Sequence, residues 1–328
     1  MTLLLTRQDV IRGLDLDECI AAVERAFRLH GERAAPPPGV LGMPLTDGGF
    51  HIKAAALTLE SGRHYFAVKV NGNFFHNQER FGKPRIQGVI ALCDGDDGTP
   101  LALLDSIEIT IQRTGAATAV AAKYLARPDS AIATICGCGV QGRIQLRALS
   151  RVRPIVTVHA WDLDPEAAAR FAATMTAELG VPVAPAPDLA RAVRASDVVV
   201  TATPARAFFL RREWVSPGTF VAAVGADNDD KQEVDPGLLA ANVVIVDVLE
   251  QCATIGDLHH ALAAGVMTRD QVRGELGQVV AGIRPGRESP KEIVIFDSTG
   301  TALQDVAAAA VVYEKAIRAG VGTRVDLS

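Results

Sequence analysis

The stretch AIATICGCGVQGRIQLRALSRVRPIVTVHAWD, residues 131–162, constrains this chain more than any other. An apolar run, Ile132–Cys136, enters Gly137-Cys138-Gly139-Val140-Gln141-Gly142; a helical pattern follows, and a second apolar run, Pro154–Trp161, stops at Asp162. Strand, glycine turn, helix, strand and acid is the order that a dinucleotide requires. Gly137 permits the tight turn, Gly139 admits backbone N–H groups to a pyrophosphate, and Gly142 lets the helix pack closely. Val140 and Gln141 open a helix whose N-terminus offers unpaired donors and a partial positive charge. Asp162 follows Gly142 at about the 20-residue spacing of a carboxylate that accepts from the adenosine ribose hydroxyls. No arginine comes immediately after it. The cofactor expected is therefore NAD rather than NADP, because a carboxylate repels a 2′-phosphate.

Composition narrows the setting. With 328 residues, the chain is long enough for two domains. At 48% hydrophobic and 22% charged, with a net charge of −5 and no Lys/Arg block, it reads as an ordinary globular protein. Nucleic acid and anionic membrane are excluded as expected partners. The five scattered cysteines form no CxxC pair, which points to reduced thiols in a cytoplasmic protein; Cys136 and Cys138 read as small residues filling the turn. The dispersed histidines predict no metal site, and a histidine base is conceivable only at His51. The N-terminus lacks a signal-peptide pattern, and no apolar run approaches the roughly 18 residues of a membrane span.

Before the glycine turn, residues 15–30 have the period of an amphipathic helix, and the proline run Pro36–Pro38 breaks it. Short alternating runs follow at Phe50–Leu57, His64–Val70, Gly88–Asp94 and Leu101–Asp105, an antiparallel pattern. Lys53 and Lys69 interrupt apolar strands. Either they belong to a solvated outer face, or they form a cationic floor that grips a substrate carboxylate. Asp105–Arg127 reads as a helix of small residues, from which Arg113 either projects into a cleft towards a carboxylate or phosphate or lies on the surface. After Arg127-Pro128-Asp129, strands alternate with helices, with strands at Asp197–Thr203, Phe220–Val224, Val243–Val248 and Glu292–Phe296; this is a parallel, helix-covered sheet. Its strand ends face the ligand crevice. Thr203 there either offers a hydroxyl to a nicotinamide ribose or belongs to a plain turn; in the acid-rich loop 225–233 some acids belong to a solvated loop with helix caps, and Asp227, nearest its strand, is best placed to reach a substrate. Ser298 ends the last strand before a helix over Ala302–Arg318.

Taken together, Lys69-Val70-Asn71-Gly72-Asn73, Arg113-Thr114, Gly137–Gly142, Trp161-Asp162-Leu163-Asp164, Gly225-Ala226-Asp227 with Lys231 and Glu233, and Phe296-Asp297-Ser298-Thr299-Gly300 followed by Ala302-Leu303-Gln304-Asp305 resemble the ornithine cyclodeaminase and mu-crystallin family. The resemblance covers nearly the whole chain. It implies an α/β protein with a Rossmann-type doubly wound domain, residues 128–304, and an α+β substrate and dimerisation domain formed by both chain ends, residues 1–127 with 305–328, in a homodimer. It also implies that Lys53 and Lys69 bind an amino-acid carboxylate, that Arg113 touches both substrate and cofactor phosphates, that Asp227 is the catalytic acid/base, and that Lys231 and Ser298 line the cofactor. Hydride leaves Cα of an amino acid for NAD+ only if the amine loses its proton, and a nearby carboxylate stabilises the iminium that forms. The expected activity is ornithine cyclodeaminase-like hydride transfer at a Cα–N bond. The alternatives are an imine reductase or amino-acid dehydrogenase and a non-catalytic mu-crystallin-like binding protein. A cyclodeaminase also needs an acid to hold the distal amine of ornithine; no residue is assigned to that role, and Glu60 is a candidate for it.

Overall fold

The computed structural model describes residues 1–59, 62–74 and 76–327, so Glu60 lies outside the described residues. Two compact units divide the chain, Met1–Arg113 with Thr301–Ser328, and Thr114–Gly300. The first begins with β1 (Thr2–Leu5), α1 (Arg7–Gly13), α2 (Leu16–Gly31), β2 (Gly39–Leu45), β3 (Gly48–Thr58) and β4 (His64–Phe74). It continues through α3 (Asn77–Phe81), β5 (Ile86–Asp94) and β6 (Pro100–Asp105) into α4 (Ser106–Leu125). The second unit runs through β7 (Ile132–Cys136), α5 (Val140–Val152), β8 (Thr157–Trp161), α6 (Pro165–Leu179), β9 (Val183–Pro185), α7 (Leu189–Arg194), β10 (Val198–Thr201) and β11 (Arg206–Leu210). Then come β12 (Phe220–Ala223), β13 (Gln232–Val234), α8 (Pro236–Ala240), β14 (Val243–Val246), α9 (Leu249–Ile255) and α10 (Asp257–Ala263). β15 (Gly274–Glu275), α11 (Leu276–Val280) and β16 (Val294–Asp297) complete it, and α12 (Ala302–Ala319) and β17 (Thr323–Val325) belong to the first unit. The division falls inside α4, at Arg113–Thr114, and not at the change of composition after Arg127.

The first unit is a seven-stranded sheet in the order β17-β1-β6-β5-β4-β3-β2. β2 to β6 form an antiparallel meander, and β1 joins β6 in parallel. Alternation sends Ala55, Leu57, Tyr65, Ala67, Ile90 and Leu92 to one buried face. α12 packs there, and its run Ala307–Ala310 brings helix and sheet close. Asp15 caps α2, whose Ile20, Val23 and Phe27 are buried and which packs on α12. Lys53 and Lys69 stand directly opposite each other in β3 and β4. They are 6% and 3% exposed, so they lie on the buried face and not on a solvated outer one. The opposite face is apolar and open, carrying Leu4, Leu41, Phe50, Phe66, Val89 and Leu103.

In the second unit eight parallel strands run in the order β15-β14-β16-β12-β10-β7-β8-β9. β10 and β12 are buried along their whole length, as strands covered on both faces must be. From β7 the chain goes to β8 and β9 on one side, then crosses to β10 and β12 on the other. The switch point, where α/β sheets bind ligands, therefore lies at the C-terminal ends of β7 and β10. Gly115 in α4 sets the approach to α5: a Cβ there would lie 2.7 Å from Ile144 Cγ1 and 3.0 Å from the Ile144 carbonyl oxygen. Gly115→Val is expected to lower unfolding stability by about 2–3 kcal/mol through overpacking, measured by urea denaturation.

Candidate functional site

At the switch point the glycine turn has the geometry that its sequence implies. Gly137 has φ +99°, a conformation that side chains disfavour. A Cβ on Gly142 would stand 2.0 Å from the Gly137 carbonyl oxygen, so helix α5 can start this close to the turn only with glycine there. A Cβ on Gly139, the N-cap of α5, would meet nothing within 4 Å, and no side chain caps that helix. Open space in front of uncapped helical N–H groups fits a pyrophosphate. Val140 is 57% exposed at the first helical position, and Gln141 follows it.

Asp162 follows β8 beside this turn. Its carboxylate accepts from Cys138 N at 2.8 Å and Asp164 N at 3.0 Å, which fixes it against the turn. A pocket of about 430 Å³ opens next to it, lined by Trp161, Leu163, Pro165 and Pro187 among others. An apolar slot with a carboxylate at its edge suits an adenosine, the base in the slot and the ribose on the acid. Burial pushes the Cys138 thiol up to about 12, in keeping with a residue that fills space.

The other strand ends carry Thr203, Asp227, Lys231 and Ser298, each with its own partner. Thr203, after β10, donates from its hydroxyl to Glu233 Oε1 at 2.7 Å. Asp227, half exposed after β12, forms an ion pair with Lys231 at 2.6 Å. The Lys231 carbonyl in turn lies 2.8 Å from His260 Nε2. Ser298, buried after β16, donates to Asp247 Oδ2 at 3.1 Å. Thus Lys231, expected along the cofactor, holds the expected acid/base, and Ser298 is held by a carboxylate that sequence reasoning did not single out.

Lys69 and Arg113, both in the first unit, meet at one carboxylate. Lys69 Nζ lies 2.9 and 2.8 Å from the two oxygens of Asp305, and Arg113 Nε donates to Oδ1 at 3.1 Å. Arg113 Nη1 also donates to Gln304 Oε1 at 2.8 Å. All four side chains are buried, so Arg113 is an interior residue and not a surface one. Burial lowers Lys69 to about 7, aided by the nearby charges of Arg113 and Lys53 and opposed by Asp305. For Asp305, burial alone would raise the carboxyl, and Lys69, Arg113 and Lys53 overcome it and hold it below the usual range. His51 lies two residues from Lys53 on β3, opposite Asn71. Asp305 and Gln304 escaped the sequence reading as site residues. Their signal was a polar pair in the first turn of a helix that continues as the apolar run Val306–Val312.

A parallel sheet with a glycine turn and a carboxylate at its switch point defines a dinucleotide-binding α/β protein. The family model for the ornithine cyclodeaminase/mu-crystallin family matches residues 1–320, and the chain belongs to that family. Alanine dehydrogenase from Archaeoglobus fulgidus is 38% identical over 325 residues, 99% of this chain and 98% of the relative. The solved structure of an archaeal alanine dehydrogenase dimer with bound NAD matches with TM-score 0.95 at 38% identity, covering 100% of this chain and 99% of that one. Thermococcus litoralis Δ1-pyrroline-2-carboxylate reductase, in complex with NADH and L-proline, matches with TM-score 0.92 at 35% identity over 99% of this chain and 100% of that one. Among the described residues no helix is long and apolar enough to cross a membrane, and no group of His, Cys, Asp or Glu could hold a metal.

Asp305→Asn leaves Lys69 and Arg113 buried without their shared counter-charge. An expected loss of about 3–5 kcal/mol at pH 7 would be read by urea denaturation. Losing Asp305 also lowers Lys69 further below the ordinary lysine value of 10.5. The unfolded chain then holds a proton that the folded one lacks, so the variant should regain stability as pH rises from about 7 to 9.

Proposed function

We propose that this protein is an NAD-dependent enzyme acting at the Cα–N bond of a small amino or imino acid. The observation that carries this reading is the buried cationic set of Lys53, Lys69 and Arg113 around Asp305, because lysines enter an apolar interior at high cost unless a charge or a ligand repays it. Lys53 and Lys69, opposed across β3 and β4, bind the substrate carboxylate with Arg113, which also reaches the cofactor phosphates. Holding the carboxylate fixes which face of Cα is presented for reaction. Asp227 takes the proton from the substrate amine in the oxidative direction and returns it in the reductive one, and its negative charge stabilises the iminium between them. Lys231, paired with Asp227, fixes the position of that carboxylate. NAD, when bound, accepts or returns the hydride.

The turn Gly137–Gly142 and Asp162 bind the pyrophosphate and the adenosine ribose, and Thr203, Lys231 and Ser298 lie along the rest of the cofactor. The named relatives are a dehydrogenase and a reductase. They favour net reduction of an imine over cyclodeamination, the second reading, which the family name keeps open. A panel of ornithine with NAD+, pyruvate with ammonia and NADH, and Δ1-pyrroline-2-carboxylate with NADH separates them. Net NADH oxidation identifies a reductase, whereas proline and ammonia without net NADH identify a cyclodeaminase. With whichever substrate is active, Asp227→Asn should lower kcat by about 10²–10⁴; unchanged turnover would remove Asp227 from the acid/base role.

The assembly proposed is a homodimer formed through the open apolar face of the first unit's sheet, since one neighbour in structure is itself a dimer. Phe66 and Val89 stand on that face at 38% and 52% exposure. Charges placed there oppose its burial. Phe66→Glu combined with Val89→Glu is expected to give monomers in sedimentation equilibrium under conditions where the parent protein is dimeric.

A further inference from the structure

Glu233 ends up at the junction of three crevice-forming segments, and its chemistry there is unusually restrictive. Oε1 accepts from Thr203 N at 2.6 Å and Thr203 Oγ1 at 2.7 Å; Oε2 accepts from Gly225 N at 2.8 Å and Thr201 Oγ1 at 2.7 Å. One side chain therefore ties the segment after β10 to the segment after β12, two residues before Asp227. Gly225 is glycine for this reason, because a Cβ would lie 2.5 Å from the Glu233 carboxyl. The segment after β10 also abuts the glycine turn: a Cβ on Gly137 would lie 2.5 Å from the Ala202 carbonyl oxygen.

Glu233 is itself held. Asp257 Oδ1 accepts from the backbone N–H groups of Glu233 at 2.8 Å and Val234 at 2.9 Å. Asp297, at the end of β16, accepts from Leu258 N at 2.8 Å and Asp257 N at 3.3 Å. All three carboxylates are fully buried. Each grips the backbone that carries the next, so the position of β16 is passed to Thr203 and Gly225.

Resting on the functional reading above, we propose that Glu233 is a positioning residue for hydride transfer, setting Thr203 and the Asp227 loop against each other so that cofactor and acid/base meet the substrate in register. Acceptance on both oxygens is required. Each carboxylate oxygen faces one backbone N–H, which cannot turn away as a hydroxyl can. An amide in either flip would point its NH₂ at one of them. A buried donor left facing a donor displaces the segment that carries it.

Glu233→Gln tests this in the full-length protein. Misplacement of reacting groups by about an ångström costs on the order of 10² in rate. The expected result is a kcat about 100-fold lower with KM and the Kd for NADH held within about threefold, and a larger primary isotope effect from C4-deuterated NADH. Hydrogen exchange should rise about tenfold at the amides of Thr203 and Gly225. A kcat equal to the parent's, or unchanged exchange at both amides, would overturn the proposal. Should Glu233→Gln not fold, Thr203→Val removes one donor, leaves the carboxylate in place, and must shift kcat and the Gly225 exchange in the same directions. A parent protein inert on the substrate panel would defeat the functional reading alone. The exchange result would still decide the proposal, with unchanged protection sinking it.

Discussion

Asp305 accepts the charge of Lys69 and Arg113 inside the first unit, and the arrangement works only because all three are withdrawn from water together. A lysine ammonium in an apolar layer would shed its proton, and the fall of Lys69 to about 7 shows how far burial drives it even with its partner present. Without Asp305, two cations would face each other across the helix–sheet contact. With it, they are fixed at a common oxygen, Asp305 Oδ1. The small side chains of α12 and β3 serve the same end, since they let the helix carrying Asp305 approach the strand carrying Lys69.

The second unit uses carboxylates differently. Glu233, Asp257, Asp297 and Asp247 are all fully buried, yet their hydrogen-bond donors are hydroxyl, thiol and backbone N–H groups in place of cationic side chains, and Oδ2 of Asp257 has no donor. Asp247 alone accepts from Ser298 Oγ, Gly300 N and Cys252 Sγ. Parallel strands leave their C-terminal segments without ladder partners at the crevice, and buried carboxylates are compact acceptors that can gather several such N–H groups. Proximity has a cost: burial, Asp247 and Glu233 raise Asp297 to about 7, against the backbone N–H groups that hold it down. Burial, Asp297 and Glu233 raise Asp257 well above the carboxylate range. A segment held this way has its backbone N–H groups tied to side chains from other parts of the same unit.

Much of this was legible along the chain. The period of α2, the alanine-rich α4 and α12, the meander β3 to β6 and the apolar strands of the parallel sheet all follow from local patterns. So does the glycine turn, because each glycine answers a local steric demand. What local pattern did not show were strands too short or too irregular to alternate. β2 is exposed throughout and contains Pro44 and two glycines, tolerated because it lies at an edge. β1 is a strand because it pairs with β6 on one side and with β17 from the other chain end on the other, both non-local events. β11 and β13 pair across the Asp227 loop for the same reason.

The site divides along the same line. Sequence by itself determined the residue types and their order: a dinucleotide turn closed by Asp162, two strand lysines, an arginine in a helix of small residues and an acid after a buried strand. Each of these is a short-range pattern set by sterics or periodicity. Tertiary structure alone decided that the lysines are buried and face each other, that Asp305 from the far end of the chain pairs with both Lys69 and Arg113, and that Glu233 ties the ends of β10 and β12. These are pairings between residues distant in sequence, and no local pattern carries them, because a buried charge is defined by its partner and the partner is supplied by the fold.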